Sequence, residues 1–280
     1  MMVSGRRNLI GRNIGIGAAV AVLLIWSVVP VYWIVVTSLK HEQEIYAYPP
    51  TFVPMAPTLE QYQTILFHTP FPLFIRNSAI IAVATTACAV VAGTLAAYAI
   101  SRMRFVGRAM VARLIVVAYL LPPSLLFIPL FIVLQRLGMI DRLGGLILAY
   151  LTFTMPFATW MLIGYIRTIP PELDEAARID GASRLQLLLR ILVPIALPGL
   201  AVVALFAFTQ AWNEFLYALV FIYNNGARTI TAGLASLMMG DTFIWGQLMA
   251  ASTLAIVPVL VIYLIAQRYL IEGLTGGSIK

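Results

Sequence analysis

The sequence predicts an all-α membrane protein: six transmembrane helices, with a pair of short cytoplasmic helices between the fourth and the fifth. Three observations lead there. Of the 280 residues, 61% are hydrophobic and 10% charged, and the mean hydropathy is +0.95; a soluble domain carries about 25% charged residues. Apolar runs of the length that crosses a bilayer, about 20 residues, occur six times, near 14–36, 77–100, 109–133, 143–165, 195–221 and 246–267. Lysine and arginine are shared unequally between the segments that separate those runs.

The composition excludes an ordinary water-soluble enzyme, and it excludes disorder, which requires low hydrophobicity. Only helices and closed barrels satisfy the backbone in lipid. Barrel strands alternate in character over about 10 residues, whereas these runs are longer and continuous, so they read as helices. The whole chain, 1–280, is then a single transmembrane domain. The first run follows Arg6, Arg7 and Arg12, as a signal peptide would. Its apolar stretch exceeds the usual limit of about 15 residues and no small-residue cleavage site follows, so it reads as an uncleaved span.

The outer segment 37–76 is rich in proline (Pro49, Pro50, Pro54, Pro57, Pro70 and Pro72). Within it Leu59, Tyr62, Ile65 and Leu66 are spaced for a short surface helix. Its histidines, His41 and His68, read as solvated loop residues. The single cysteine, Cys88, lies in the second run, so no disulfide or cysteine-based metal site forms within the chain. Pro122 and Pro123 interrupt the third run, where proline frees a carbonyl and kinks a helix. The fifth run carries Glu214, the one carboxylate inside a span. A mid-membrane charge costs about 2.5–3.5 kcal/mol on insertion scales, so it is expected to face the bundle interior or a watery cavity. Gln210, Trp212, Asn213 and Tyr217 accompany it at helical spacings.

Orientation follows from the cations. With the N-terminus inside, thirteen of the 18 lysines and arginines fall in inner segments and five in outer ones, which puts both termini in the cytoplasm. The net charge of +7 does not indicate nucleic acid, because the cations form no single patch.

The inner loop 166–194 is too long for a turn. Pro170 and Pro171 favour a helix start, and Glu172, Asp174 and Glu175 follow where the helix dipole favours anions. Asp174 and Arg178, four apart, are placed to pair. Gly181 interrupts the helix with a residue free to take positive φ. A second helix follows with Leu185, Leu188, Leu189 and Leu192 on one apolar stripe, closed by Pro194. Ala176 and Ala177 give the first helix a flat side for close approach by a partner.

At this point the sequence becomes recognisable. Glu175-Ala176-Ala177, three residues, Gly181, nine residues and Ile191-Leu192-Val193-Pro194 resemble the coupling signature of ABC importer permeases, with valine where leucine is usual. Ala211-Trp212-Asn213-Glu214-Phe215 and the tail 267–277 look like the carbohydrate branch, similar to the smaller permease of maltose importers. The resemblance implies an inner-membrane transport subunit of a prokaryote, not an enzyme. Glu175, Ala176, Ala177, Asp180, Gly181 and Pro194 would dock on an ATPase, and Gly273, Leu274 and Thr275 in the tail would reach into the ATPase pair. The implied partners are a second homologous permease, two ATPase subunits that hold ATP and Mg, and an extracytoplasmic solute-binding protein, with membrane lipid around and no nucleic acid. Gln210, Trp212, Asn213, Glu214 and Tyr217 either line a path for the sugar or lock helices together. Asp241 and Trp245 fit an outer gate or a binding-protein footprint.

No cofactor belongs to this chain. A phosphate-cradling P-loop needs a lysine after glycine, and Lys40 and Lys280 both follow apolar residues. An ion-coupled secondary transporter is the competing class; it needs several intramembrane ionisable residues and often shows inverted repeats. A membrane-embedded enzyme needs a clustered nucleophile, base or metal set, which two loop histidines and one cysteine do not supply.

Overall fold

The computed structural model describes residues 3–238 and 244–275, and every regular element among them is a helix. The chain divides into two compact units, Met1–Thr69 with Leu237–Leu254, and Pro70–Ser236 with Ala255–Lys280.

The first unit is built on α1 (Val3–Ser38), which contains the first apolar run. Its side chains from Ile16 to Tyr32 are exposed, Trp26 to 81%, and only the last turns, at Val36, Thr37 and Ser38, are buried, as in a helix most of whose apolar surface meets no core of its own chain. Two short helices follow, α2 (Glu42–Ile45) and α3 (Glu60–Phe67). The proline-rich stretch between them is held by a buried cation. Lys40 is 2% exposed; its Nζ donates to the Thr51 carbonyl and lies 4.9 Å from the centre of the Trp33 ring. The Glu44 carboxylate accepts from Thr51 Oγ1 at 2.6 Å and from the Met55 N–H at 3.0 Å. Helix α3 stands where the spacing predicts it, with Ile65 wholly buried.

The second unit packs α4 (Phe71–Arg102) against α7 (Leu143–Thr168). Small residues allow the approach: a Cβ added to Gly93 would lie 3.1 Å from the Ala158 Cβ and 3.3 Å from the Thr159 nitrogen. In lipid, where tails are as apolar as leucine, such close backbone packing drives association. The core continues through Ala89, Ala97, Leu162, Leu187 and Leu192. The last helix, α14 (Trp245–Thr275), contains the sixth run.

Two of the six predicted spans are not single helices. The run 109–133 forms α5 (Arg108–Leu120) and α6 (Pro123–Arg136), bent by 100°. Pro122 drives Leu121 out of the α region (ψ 124°), because the ring crowds the preceding residue. The run 195–221 forms α11 (Leu197–Asn213) and α12 (Leu216–Phe221), parted at Glu214 and Phe215. A second bend, of 79°, separates the helical stretch Arg184–Ile195 from α11. Four described helices are therefore long and apolar enough to cross a membrane unaided, and six spans result if each bent pair counts as one. Helix α13 (Ile230–Ser236), which follows α12, is short. The loop before it is tied to α4: Asn77 Nδ2 donates to the Gly226 and Arg228 carbonyls, each at 3.0 Å, and the Ile230 N–H donates to Ser78 Oγ at 2.8 Å.

Candidate functional site

The loop that follows α7 folds largely as its local sequence requires. Helix α8 (Glu172–Ile179) starts immediately after Pro170 and Pro171, with Glu172, Asp174 and Glu175 in its first turn. It ends in a left-handed turn. Gly181 has φ +81°; its N–H reaches the Arg178 carbonyl at 3.0 Å, and the Ala182 N–H reaches the Ala177 carbonyl at 2.9 Å. These are the paired bonds of a Schellman cap, whose left-handed position favours glycine. Ser183 then begins α9 (Arg184–Leu187) with a capping box: Gln186 N donates to Ser183 Oγ, and Ser183 N donates to Gln186 Oε1. The Ser-x-x-Gln spacing is the sequence signal of this cap.

The second helix departs from expectation. It passes through a π-helical turn (Leu188–Leu192) into α10 (Val193–Ile195), so Pro194 stands inside the helical stretch and the bend comes at Ala196. The wider turn advances the helix face. Leu187, Leu188 and Leu192 are buried, whereas Leu185 and Leu189 are exposed. The apolar stripe expected at 185, 188, 189 and 192 is thereby split.

Asp174 does not pair with Arg178. Its Oδ2 lies 3.2 Å from Nε of Arg102, at the end of α4, and both side chains are about nine-tenths buried. Arg102 Nη2 also donates to the carbonyls of Ile169 at 2.6 Å and Ile166 at 3.2 Å. One guanidinium thus closes the C-terminal end of α7 and anchors α8. A cation at that end also complements the helix dipole. Arg102 carried no local signal beyond its charge.

Of the remaining loop residues, Glu175, Ala176, Asp180 and Gly181 are exposed, and Ala177 is buried against the core. The two alanines of the motif therefore face opposite ways. Ile179, 86% exposed, and Leu173 add an apolar surface beside Ala176, which sequence reasoning passed over.

The polar cluster of the fifth run also divides. Glu214 leaves the helix (ψ 129°), and its carboxylate accepts from the Tyr217 N–H at 2.9 Å and the Ala218 N–H at 3.1 Å, capping α12. The Glu214 carbonyl accepts from Thr231 Oγ1 at 2.7 Å. Tyr217 is buried and donates its hydroxyl to the Pro123 carbonyl at 2.7 Å, linking the two broken spans. Trp212 is buried too, its Nε1 donating to the Ala255 carbonyl at 3.1 Å. Gln210 and Asn213 are exposed. With Glu214, Phe153 and Phe215 they line an open cleft of about 250 Å³. The residues predicted together thus fall into two sets, one that holds the break and one that borders open space.

At the other end of α7, Asp141 adopts φ +63° and accepts through Oδ1 from the N–H groups of Tyr223 at 2.8 Å and Asn224 at 3.0 Å. Partial burial raises its carboxyl pKa, but the hydrogen bonds from Asn224 and Tyr223 outweigh it and hold the group below the usual carboxylate range. Gly273, Leu274 and Thr275 belong to the last turn of α14. Gly276, Gly277 and Asp241 lie outside the described residues.

Comparison with known proteins now bears on this geometry. The chain is 37% identical over its full length to the inner membrane ABC transporter permease protein YcjP of Escherichia coli, covering all of that protein. It is 36% identical over 90% of its length to the trehalose/maltose transport system permease protein MalG of Thermococcus litoralis, covering 91% of it. Among solved structures, a bacterial ABC transporter involved in import of the acidic polysaccharide alginate aligns with TM-score 0.79 at 22% identity, over 92% of this chain and 97% of that one; this is a likeness of fold. Residues 89–276 match the family described as the binding-protein-dependent transport system inner membrane component. A match that takes in both broken spans and the whole loop between α7 and α11, with a relative similar from end to end, establishes the class: the chain belongs to the binding-protein-dependent transport system inner membrane components, the permease subunits of ABC importers.

Proposed function

We propose that this permease carries a carbohydrate into the cytoplasm by alternating access, driven by separate ATPase subunits that grip the loop 166–194. One observation carries the reading. Helix α8 and the Gly181 turn present an exposed outer face, while the root of the helix is anchored by Arg102 to the ends of α4 and α7. A load applied to that face passes into two membrane-crossing helices. The exposed Glu175, Ala176, Asp180 and Gly181 form the docking surface, and the last turn of α14, with Gly273, Leu274 and Thr275, makes a second contact. Pro194 and the buried Ala177 serve the loop's shape.

The cargo class rests on the relatives, whose names include trehalose and maltose and sulfoquinovosyl glycerol. Gln210 and Asn213, beside Phe153 and Phe215, offer hydrogen-bonding groups next to aromatic faces, the combination a sugar requires. Trp212 and Tyr217 set the shape of that wall. Ion coupling through Glu214 is disfavoured, because its carboxylate is occupied by the N–H groups of α12. The complete importer would join this chain to a second permease, two ATPase subunits binding ATP and Mg, and an external binding protein. Both termini face the cytoplasm.

The test is reconstitution of the whole complex in proteoliposomes. Uptake should require ATP and a binding protein loaded with one sugar from a panel. Uptake on an ion gradient without ATP would overturn the coupling, and stimulation by no sugar in the panel would overturn the cargo class. A reporter fused after Lys280 that is active only outside would overturn the orientation.

A further inference from the structure

Beside α8 lies a cleft of about 670 Å³, bordered by the connection between α4 and α5 and by the coupling loop. Its charge is lopsided. Arg104, Arg108, Arg178 and Arg184 line it in addition to Arg102. Against them stand two carboxylates, Asp174 and Glu175. Asp174 is already matched by Arg102, which leaves four guanidinium groups facing Glu175. Among the described residues no ion pair neutralises any of those four. Arg108 donates to the Met103 carbonyl at 3.2 Å, which orients it without cancelling its charge.

The surroundings add a second constraint. Arg108 opens α5, whose first turn carries no acidic residue and no side-chain cap, so its N–H groups add to the positive field. Directly along that helix, Met110, Val111, Leu114 and Val117 are exposed. Val106, in the connection itself, is fully exposed. A basic cleft thus lies beside the exposed apolar side of a helix. Basic pockets between transmembrane helices on the cytoplasmic side suit anionic headgroups, and arginine matches phosphate oxygens in bidentate fashion.

We propose that this cleft holds a phosphate ester, supplied by the headgroup of an anionic phospholipid whose acyl chains lie along α5. The shared chemistry is that of a phosphate anion; the exposed apolar side of α5 favours the lipid over free phosphate as its source. The bound headgroup bridges the α4–α5 connection, through Arg104 and Arg108, to the coupling loop, through Arg178 and Arg184. Lipid charge thereby sets how firmly the coupling helix is seated. Placing the lipid in the inner leaflet rests on the orientation proposed above; the site itself does not.

The test is a titration of the purified full-length chain in neutral detergent, read by native mass spectrometry, with phosphatidylglycerol, phosphatidylcholine and inorganic phosphate as separate probes. Phosphatidylglycerol should bind at least tenfold more tightly than phosphatidylcholine. The double variant Arg104→Gln/Arg178→Gln should weaken phosphatidylglycerol binding by about thirtyfold, about fivefold to sixfold per cation. Arg104→Lys/Arg178→Lys should restore most of it, and Arg76→Gln/Arg136→Gln, which removes as much charge elsewhere, should leave it unchanged. Equal losses in both glutamine pairs, or none in either, would overturn the site. Inorganic phosphate competing at the same concentration as the lipid would overturn the lipid as source. Complete displacement of bound lipid in the assembled importer would show the cleft to be a protein interface and would also overturn the proposal. Because the titration is made in detergent, it is independent of membrane orientation and of transport.

Discussion

Replacing Gly181 by valine isolates the backbone of the coupling loop as a variable. A Cβ added at this position meets no atom within 4 Å, so nothing in this chain obstructs the side chain. The cost lies entirely in φ +81°, which places Cβ against the carbonyl oxygen. For an L-residue that costs about 1–2 kcal/mol, and a β-branched residue is a true outlier there. Taking about 1–3 kcal/mol for such a strained residue, the native turn becomes roughly 5- to 150-fold less populated relative to alternatives in which the Ala182–Ala177 and Gly181–Arg178 bonds are broken. Helix α8 keeps its anchor through Asp174, but α9 loses its fixed direction. In reconstituted complexes the expected result is that ATP hydrolysis persists while sugar uptake per ATP falls at least severalfold. Asparagine tolerates the left-handed region better, so Gly181→Asn should retain far more uptake than Gly181→Val. Equal uptake per ATP in the valine variant and wild type would refute the reasoning. Equal loss in the asparagine and valine variants would also refute it, because the cause would then be a partner's surface against Cβ rather than backbone strain.

Three further outcomes follow from the same geometry. Arg102→Met strands a buried carboxylate and two carbonyls, so the purified chain should lose about 3–5 kcal/mol of stability. Arg102→Met/Asp174→Leu should recover most of it, and a double variant no more stable than the single one would count against a buried pair. Tyr217→Phe deletes the hydroxyl that joins α12 to the Pro123 carbonyl and should cost about 1 kcal/mol, read as a lowered thermal midpoint with ATPase coupling retained. The Asp141 clasp should depend on pH. Its carboxyl is held below the ordinary value of about 3.9, so its contribution is complete at neutral pH and disappears as pH falls through the lower folded value. The protection of the Tyr223 and Asn224 amides, measured as exchange relative to the intrinsic rate at each pH, should fall in acid in the wild type, and Asp141→Asn should abolish that acid dependence at a cost of about 1 kcal/mol.

Much of the coupling loop was legible because its signals are local. Two prolines, three acids and a glycine act on their own turns, and each did so where expected. The breaks were legible only in part. Pro122 and Pro123 mark the first, but nothing local marks the one at Glu214, where a carboxylate that looked like a charge within a helix turned back to cap the next one. Trp212 and Tyr217 looked like pathway residues by helical spacing. Spacing is blind to the Ala255 and Pro123 carbonyls that draw them into the interior.

What the sequence determined by itself was the solvent and the periodicity. Apolar runs of bilayer length select helices, and proline and glycine set where turns begin, because each effect acts within a few residues of its cause. Packing between distant helices brings Asp174 to Arg102 instead of Arg178, turns Ala177 to the core while Ala176 stays outside, and accompanies the π-helical turn at Leu188–Leu192. Those outcomes depend on groups brought from distant helices. In a water-poor interior a buried polar group takes the partner that satisfies it, whether or not that partner is near in the chain.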